Sequence, residues 1–319
     1  MGSMRRRVLG IAALMLASLG APAPAGAQPA GAQPPWPSRP VRLLVPYAPG
    51  GSTDGVARLY AEHLSRRLGQ PVVIENRPGA ATNIAAQALA LAEANGYTVM
   101  LATNQLIINS VFGPVPPFDV LTGFAPVSVI AEIPFVVAVD ARSPMKTIAD
   151  FARAGGAQGP SISHAQFDPY VKLLSTALGV QVLGVPFQGG SPAAMAAIGG
   201  DVTGVLSAVS GVSGLAHGGK LRLLGVTSAR RLAAFPDVAT FAEQGFPTFA
   251  VTGWLVVLAP KGTPDAVLAR LGEATSTVVR DPAFVERLRS AGAEPVETTA
   301  AEASARMKAE RALWQGVAR

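Results

Sequence analysis

Three short apolar runs alternate with two amphipathic runs between residues 41 and 103, and this alternation restricts the fold more than any other feature of the chain. The apolar runs VRLLVPY (41–47), PVVIEN (71–76) and YTVMLAT (97–103) have the length and β-branched content of buried strands. Each connection has room for a single helix, so the order β-α-β-α-β predicts parallel strands joined by right-handed crossovers. We therefore predict an α/β protein.

The two amphipathic runs carry the signals of helix ends. STDGVARLYAEHLSRRLG predicts a helix that stops at Gly69, and TNIAAQALALAEANG predicts one that stops at Asn95-Gly96. One apolar stripe on the first helix would face the sheet, and its members are Val56, Leu59, Tyr60, Leu64 and Leu68.

A second alternating set starts at FAPVSVIAEIPFVVAVD and has enough elements for a core of its own. The late apolar strand VTGWLVVLAP (251–260) precedes three helices with start signals at Thr263-Pro264-Asp265, at Asp281-Pro282 and in a Thr299/Glu302 capping box. Between these segments we predict helices around 146–154, around 168–178 and after Ser191, and strands in VQVLGVPF (180–187), VTGVLSAV and LRLLGVTSA.

The last three helices have too few strands beside them to form a domain, so we predict that they pack on the first set of elements. The chain would then cross between two lobes twice, with residues 39–130 plus 252–319 in lobe 1 and residues 131–251 in lobe 2. Lobes connected in this way can close over a cleft by hinging.

Residues 1–27 have the pattern of a signal peptide. Arg5 to Arg7 precede the apolar run VLGIAALMLASLGA, which is shorter than the roughly 20 residues of a bilayer span, and AGA before Gln28 suits cleavage after Ala27. A buried N-terminal helix is the alternative, and Sec and twin-arginine export both stay open. The Pro-rich segment 28–38 predicts a flexible leader. We expect the mature protein in the periplasm.

Composition excludes several classes of function. The chain has no Cys, which rules out disulfides, thiolate metal sites and Cys nucleophiles. Its formal net charge of +6 falls to +3 without residues 1–27, and the remaining Lys and Arg are scattered. With 6% aromatic residues, the chain lacks the basic stripe and the stacking groups that are typical of nucleic-acid binding.

The loop PYAPGGSTD joins the first strand to the first helix and has the composition of an anion site. Gly50 and Gly51 let the backbone turn sharply and approach a ligand, and Ser52 or Thr53 is predicted to cap the helix. A carboxylate at such a helix start gains hydrogen bonds from N–H groups and about 0.3–1 kcal/mol from the helix dipole. An ordinary βα turn is the alternative.

Other loops could contribute to the same site. Thr103 at the end of the third strand and Asn104 after it lie at the same sheet edge, because the carboxyl ends of parallel strands meet there. RPGAATN (77–83), which contains Thr82, and FQGGSPAA (187–194) are further glycine-containing helix entries. Two helix starts that face each other across a cleft would hold an anion with few charged side chains. Plain turns are again the alternative.

Motifs for catalysis are incomplete. No Lys completes a Walker loop, GGSTD and GGSPA lack the last glycine of a nucleophile elbow, and SPMK lacks its partner motifs. The glycines do not match GxGxxG, although Glu75 lies where a ribose-binding acid would, which leaves a Rossmann oxidoreductase open. The three histidines are far apart, so we expect no metal and no cofactor. His164 is a candidate cleft residue, whereas His63 and His217 are expected to be structural or solvated.

Six segments, spread over nearly all of the mature chain, together form a specific pattern: PGGSTD, LGQPVVIENRPGA, GYT, FAPVSVIAEIPFVVAV, GGKLRLLGVTSARR and WLVVLAPKGTPDAVLARL. In this arrangement the sequence resembles the Bug proteins, the TctC-like substrate-binding components of tripartite tricarboxylate transporters. The resemblance implies a type II periplasmic binding protein fold, in which two Rossmann-like lobes close around a small carboxylate.

The resemblance also implies which residues bind the ligand. Tyr47 to Thr53, with Ala48 among them, would form the clamp of lobe 1, and Phe187, Gln188 and Gly189 would form part of lobe 2. The chain departs from the family at SISHAQF (161–167), at Ser207-Ala208 and at Thr203, where the family has a Gly/Ser-rich loop, Asp-Asn and an acid. These departures, expected near the cleft side of lobe 2, imply an unusual ligand or a weakened binding role.

We therefore predict an extracytoplasmic solute-binding protein for a small organic anion: a carboxylate, dicarboxylate or amino acid. It would act as a monomer and present its ligand to the membrane components of a tripartite tricarboxylate transporter or to a sensor kinase. The alternatives are a secreted α/β enzyme, either hydrolase or oxidoreductase, and an interaction protein whose cleft has degenerated.

Overall fold

Ten strands and ten α-helices make up the part of the chain that the computed structural model describes, residues 36–50, 52–165 and 168–319. Our predictions for residues 1–35, Gly51 and residues 166–167 lie outside these ranges. The strands are β1 (Val41–Val45), β2 (Val72–Asn76), β3 (Thr98–Thr103), β4 (Phe124–Asp140), β5 (Ser161–His164), β6 (Leu183–Pro186), β7 (Gly204–Ala208), β8 (Leu221–Val226), β9 (Thr252–Pro260) and β10 (Glu294–Pro295). The helices are α1 (Ser52–Leu68), α2 (Asn83–Ala90), α3 (Gln105–Phe112), α4 (Ile148–Arg153), α5 (Asp168–Leu178), α6 (Gly190–Gly199), α7 (Val209–His217), α8 (Asp265–Val279), α9 (Pro282–Ser290) and α10 (Ala300–Ala318).

The first sheet has the strand order β2-β1-β3-β9-β4, with β10 on the far side of β4. β1 pairs in parallel with both β2 and β3, which confirms the predicted β-α-β-α-β unit. β9 is antiparallel to β3 and to β4, so the sheet is mixed. Both this sheet and its helices confirm the predicted α/β class.

Strand β4 belongs to two sheets. Its first part, from Phe124 to Pro134, pairs with β9, and its second part, from Phe135 to Asp140, pairs with β7 and β8. From β7 the second sheet continues through parallel pairings to β5 and then β6. One long apolar strand therefore carries the chain from the first sheet into the second.

Helices cover both faces of the first sheet because each presents an apolar side to it. The predicted stripe of α1 is buried as expected, and it packs with α8 and α9 over one face. Residues of α2, α3 and α10 cover the other face. The left-handed backbone of Gly69, with φ of 70°, ends α1 where the sequence predicted.

The second sheet has its own pair of cores. α4 and α5 pack on one face and α6 and α7 on the other. Trp314, near the end of α10, is fully buried in the core that contains α5, and its ring lies 4.8 Å from that of Tyr170. α10 therefore contacts the elements of both sheets, whereas α8 and α9 pack beside α1 as predicted.

Several element ends differ from the prediction. α2 ends at Ala90, not at Asn95-Gly96, because Leu91 is 80% exposed and Asn95 turns back onto Glu93. The strand predicted at 180–187 covers only Leu183–Pro186. At α8, Pro264 occupies the cap position and the Thr263 hydroxyl donates to the Pro260 carbonyl instead. The Asp281 cap and the Thr299/Glu302 capping box are confirmed.

Residues 36–38, the last three of the predicted leader, pack against the first sheet. Trp36 lies against the α1 core and its ring is 6.0 Å from that of Tyr97. The Ser38 N–H donates to the Tyr97 hydroxyl over 3.0 Å. These three residues are therefore held by contacts.

The sheet topology brings strand ends together at the middle of β4. Thr103 at the end of β3 pairs with Leu255 of β9, and Ala208 at the end of β7 pairs with Phe135 of β4. The loops after β1 and β5 leave from the same edges, since both strands run parallel to these neighbours. Loops of both sheets therefore meet beside residues 133–135.

Candidate functional site

The loop after β1 is held in place by two side chains. Asp54, in the first turn of α1, is 2% exposed and accepts the N–H of Gly50 over 2.9 Å. The Asn76 amide donates to the Tyr47 carbonyl over 2.9 Å and to Asp54 over 2.8 Å. The main chain from Tyr47 to Gly50 is thus fixed at both ends.

Asp54 is charged in this setting. Two hydrogen bonds from Arg58, at 2.8 and 3.2 Å, are the largest cause that lowers the pKa of Asp54 to about 2, against the opposing effect of burial. The predicted caps, Ser52 and Thr53, both lie inside α1, which begins at Ser52. The Asp54 carboxylate receives the loop N–H of Gly50.

Tyr47 and Thr103 connect the ends of β1 and β3. Their hydroxyl oxygens lie 2.7 Å apart, so one hydroxyl donates to the other and a single proton stays available for a ligand. Burial raises the pKa of Tyr47, only partly offset by the bond to Thr103. The phenol is therefore a neutral donor at physiological pH.

A carboxylate lies behind this pair. Glu310 of α10 accepts from the Asn104 amide over 2.9 Å, and the indole N–H groups of Trp254 and Trp314 donate to it over 3.2 and 2.7 Å. Asn104 also donates to the Tyr170 hydroxyl over 3.0 Å. Burial, followed by the charge of Glu310, raises the pKa of Tyr170. These contacts tie α10, β9 and α5 to the end of β3.

A cavity of about 250 Å³ opens in front of this network. It contains four of the predicted site residues, and among the described residues that line it none carries a formal charge. Hydroxyl and amide groups stand beside aromatic and aliphatic walls, a composition that is typical of small-molecule sites. The lining residues are Tyr47, Thr53, Thr103, Asn104, Gln105, Ile133, Phe135, Tyr170, Ala208, Gly253 and Trp254.

A second cavity of about 780 Å³ shares Tyr47 and Gln105 with the first. It lies between the loop after β1, the entry to α2, helix α3 and the start of α5. Two charged side chains are found among its described lining residues, Asp168 and Lys172. The others are Pro46, Ala48, Pro78, Gly79, Thr82, Ile108, Asn109, Phe112, Gly113, Ala165 and Pro169.

The site residues predicted from the second sheet lie outside the described lining of both cavities. His164 is fully buried, and its ring lies near Gly184 and Val171. Burial lowers the pKa of His164, with partial compensation from Asp168, whose carboxylate is 3.7 Å from Nε2. The His164 carbonyl accepts the Phe187 N–H over 2.8 Å.

The remaining predicted residues are also outside the described lining of both cavities. Gly189 precedes α6 with φ of 146°, and Gln188 beside it is exposed. The Ser207 hydroxyl donates to the Ala208 carbonyl over 3.1 Å. Gly50 lies in the loop after β1, and Ser52 starts α1. The structure thus brings Tyr47, Thr53, Thr103 and Asn104 together with Ala208 in the smaller cavity, and Ala48 and Thr82 line the larger one. Neither described lining includes Gly50, Ser52, His164, Phe187, Gln188, Gly189 or Ser207.

The expectation that Thr203 lies near the cleft is wrong. Thr203 immediately precedes β7 and exchanges hydrogen bonds with Ser161 at the start of β5. These are the amino ends of the parallel strands, whereas Ala208, which lines the smaller cavity, is at the carboxyl end of β7. Thr203 and Ser161 therefore close the opposite edge of the sheet.

The other two histidines have structural contacts. His63 is buried on α1, packs edge-on against Phe284 and lies 3.5 Å from Asp281. His217 ends α7, not a turn as predicted, and stacks on Phe235. Over residues 36–50, 52–165 and 168–319, no group of three His, Asp or Glu could hold a metal ion, and no helix is long and apolar enough to cross a membrane.

Sequence reasoning missed Gln105, Tyr170, Lys172 and Trp254. Tyr170 and Lys172 lie inside α5, Gln105 begins α3 and Trp254 lies in β9, all outside the glycine-containing loops that the sequence singled out. A signal existed for Gln105 alone, because it directly follows the predicted sheet-edge residues Thr103 and Asn104.

Two mixed sheets that share a strand, with a neutral polar cavity at their joined edges, define the class of the periplasmic solute-binding proteins. The chain matches the family profile described as tripartite tricarboxylate transporter family receptor, TctC, over residues 56–317. It belongs to this family, which confirms the resemblance and the predicted type II binding protein fold. The family consists of solute-binding receptors, so this chain is a receptor and not an enzyme.

Relatives extend over nearly the whole chain. It is 31% identical to protein BugT of Bordetella pertussis, over 98% of this chain and 97% of that protein. The structure of MatC from Rhodopseudomonas palustris with bound malate has 29% identity and a TM-score of 0.73, over 89% of this chain and 100% of that one. R. palustris Rpa4515 with adipate has 32% identity and a TM-score of 0.74, over 89% and 97%.

Proposed function

We propose that this receptor captures a small organic carboxylate in the cavity of about 250 Å³ beside Tyr47 and Thr103. The observation that carries the proposal is the hydroxyl pair at 2.7 Å, which leaves one O–H proton to donate where no fixed negative charge lines the cavity. A hydrogen bond to a charged acceptor is about twice as strong as one between neutral groups. The site therefore favours an acid over its neutral analogue.

The relatives support the same chemical class. MatC holds malate and Rpa4515 holds adipate, and both are small acids with two carboxylates. Binding near micromolar, about −8 kcal/mol, would suffice for capture. Tyr47, Thr53, Thr103 and Asn104 are the residues proposed to surround the first carboxylate, and the anchored loop from Tyr47 to Gly50 forms its rim.

Capture is proposed to involve closure of two lobes, residues 39–130 plus 252–319 and residues 131–251. The chain passes between these lobes within β4 and immediately before β9. Closure would bring His164 at the end of β5 and the loop from Phe187 to Gly189 nearer to the ligand. Residues 1–27 would direct export to the periplasm. The loaded monomer would then be recognised by the membrane components of a tripartite tricarboxylate transporter or by a sensor kinase.

Isothermal titration of the mature protein with malate and adipate, beside malamide and adipamide, tests the proposal. The diamides keep the shape and remove the charge, so the acids should bind and the diamides should not. Thr103→Val should weaken the binding of the acids by about fivefold, because the Tyr47 hydroxyl loses the hydrogen bond that positions it. Thr277→Val, an exposed threonine on α8, is the matched control and should leave binding unchanged. Equal binding of acids and diamides, or no binding of any acid at millimolar concentration, would contradict carboxylate capture.

A further inference from the structure

A groove of about 470 Å³ lies outside the two cavities of the candidate site, and segments of both sheets form it. One wall is the segment from Ser228 to Ala233, which follows β8 of the second sheet. The other wall contains Glu132 of β4, Arg289 near the end of α9, and residues 294–296 in and after β10. We call this feature the seam groove. It shares no described lining residue with either cavity, so a ligand there would be separate from the captured acid.

The wall that follows β8 is anchored and presents main-chain donors. The Thr227 N–H donates to a carbonyl of β4 over 2.9 Å, and Leu232 is buried in a core of the second sheet. Between these anchors, the Ser228 hydroxyl donates to the Arg230 carbonyl over 2.7 Å. No described residue accepts a hydrogen bond from the N–H groups of residues 229–231. Consecutive main-chain N–H groups that are left free in this way can bind an anion.

Three of the described lining residues are arginines, and they keep donors for a ligand. Arg230 forms no ion pair within 4.0 Å among the described residues. Arg289 donates from Nε to Glu294 over 3.1 Å, and its two terminal nitrogens donate to no described residue. Arg231 binds Glu243 through Nε, and its Nη2 is likewise left over within the described chain. A planar guanidinium suits a phosphate group, which it can contact through two parallel N–H groups.

The acids that line the groove are already paired with arginines. Glu294 lies 3.1 Å from Arg289, and Glu132 lies 2.6 Å from Arg306. The charge of Arg230 is therefore not matched by a described acid, and it stands beside the free N–H groups. An excess positive charge in a groove attracts an anion.

We infer that the seam groove is a second anion site, which binds a phosphate group through Arg230, Arg289 and the main chain of residues 229–231. The inference goes beyond the proposed function, because the captured carboxylate takes no part in it. A bound phosphate would contact a segment of each sheet and would connect the two walls across their junction. A soluble phosphate and a lipid headgroup offer the same chemistry, and the experiment separates these two sources.

Isothermal titration with inorganic pyrophosphate at constant ionic strength tests the inference. Arg230→Gln should weaken the binding of pyrophosphate by about fivefold, because charge-assisted hydrogen bonds are lost. Lys261→Gln removes the same charge from an exposed residue after β9 and should leave binding unchanged. Thr103→Val should also leave it unchanged, since Thr103 lines only the smaller cavity. An equal loss in Arg230→Gln and Lys261→Gln, or a loss in Thr103→Val, would overturn the site.

Glu294→Gln should have the opposite effect. The change releases the Nε of Arg289 and removes a negative charge from the groove, so pyrophosphate should bind about threefold tighter. Asp201→Asn removes the same charge from an exposed residue before β7 and is the control, with no change expected. Unchanged or weaker binding in Glu294→Gln would overturn the role of Arg289 and with it the two-walled site.

Vesicles separate the two sources of phosphate. The protein is sedimented with phosphatidylglycerol vesicles and, as a control, with phosphatidylcholine vesicles. If a lipid headgroup is the ligand, the phosphatidylglycerol vesicles should bind the protein and should bind the Arg230→Gln variant about fivefold more weakly. If a soluble anion is the ligand, only pyrophosphate should bind in a way that depends on Arg230. If neither probe bound in this way, the inference would be overturned while carboxylate capture would stand.

Discussion

The hydroxyl oxygens of Tyr47 and Thr103 lie 2.7 Å apart, and this contact connects the ends of two neighbouring parallel strands. If either hydroxyl is removed, the other keeps a proton for the ligand but loses the partner that holds it in position. Tyr47→Phe and Thr103→Val should therefore each weaken acid binding by about fivefold. The double variant has no such proton left and should lose more than the product of the single losses.

Titration calorimetry of the four proteins gives the coupling between the two residues. Tyr97→Phe is the control, because Tyr97 lies just before β3, at the opposite end of this strand from Thr103, and its hydroxyl bonds to Ser38. Losses that simply multiply in the double variant would show that the two hydroxyls act separately.

Asp54 is expected to stabilise the protein in a pH-dependent way. Its pKa of about 2 lies below the ordinary value of 3.8, so its contribution is complete above about pH 4 and is lost as the pH falls towards 2. Asp54→Asn should cost about 2 kcal/mol in unfolding free energy at pH 7, because a charged acceptor is lost. This cost should shrink towards zero near pH 2.

Urea denaturation at several pH values measures that difference. Asp265→Asn changes an exposed aspartate in the first turn of α8 and should cost less than about 0.5 kcal/mol at every pH. A cost for Asp54→Asn that did not change with pH would mean that the carboxylate charge is not what holds Gly50 and Arg58.

Glu310 accepts hydrogen bonds from the N–H groups of three neutral side chains, Asn104, Trp254 and Trp314. In Glu310→Gln one acceptor oxygen becomes a donor amide, which then faces the Asn104 amide or an indole N–H. We expect a loss of about 2 kcal/mol in unfolding free energy. Tryptophan fluorescence should change as well, because Trp254 and Trp314 both donate to this carboxylate. Glu286→Gln, exposed on α9, is the control, and an equal effect there would refute the role of the network.

His164 should make the protein less stable in mild acid. Burial lowers the pKa of His164 below its ordinary 6.5, so the unfolded chain binds a proton more readily than the folded one. The stability is therefore highest above pH 6.5 and falls as the pH drops below it. His164→Gln should flatten the unfolding free energy between pH 6.5 and 5. An unchanged slope in His164→Gln would exclude this residue as the cause.

Local signals in the sequence were sufficient for the β-α-β-α-β unit of the first sheet. The stripe from Val56 to Leu68 and the stop at Gly69 depend on helical periodicity and on backbone conformation, and both are properties of neighbouring residues. The antiparallel direction of β9 was not predictable, because an apolar run has the same appearance in either direction. The division of β4 between two sheets was not predictable either, because an apolar run does not show which strands it pairs with.

The site was predictable where loops follow parallel strands. Thr103 ends β3, Asn104 follows it and Tyr47 follows β1, and the topology rule places such residues at one edge. Tyr170 and Lys172 lie on a helix of the second sheet, and their approach depends on how that helix packs against α10. That packing is a long-range property, set by Trp314 and Tyr170 in one core.

The single backbone of β4 has a thermodynamic consequence. Its hydrogen bonds to β9 and to β7 and β8 lie on one continuous extended segment, so melting either sheet would strip half of that segment of its partners. Unpaired main-chain groups of this kind are costly in a dry core. The two sheets should therefore melt cooperatively, with one heat-absorption peak instead of two.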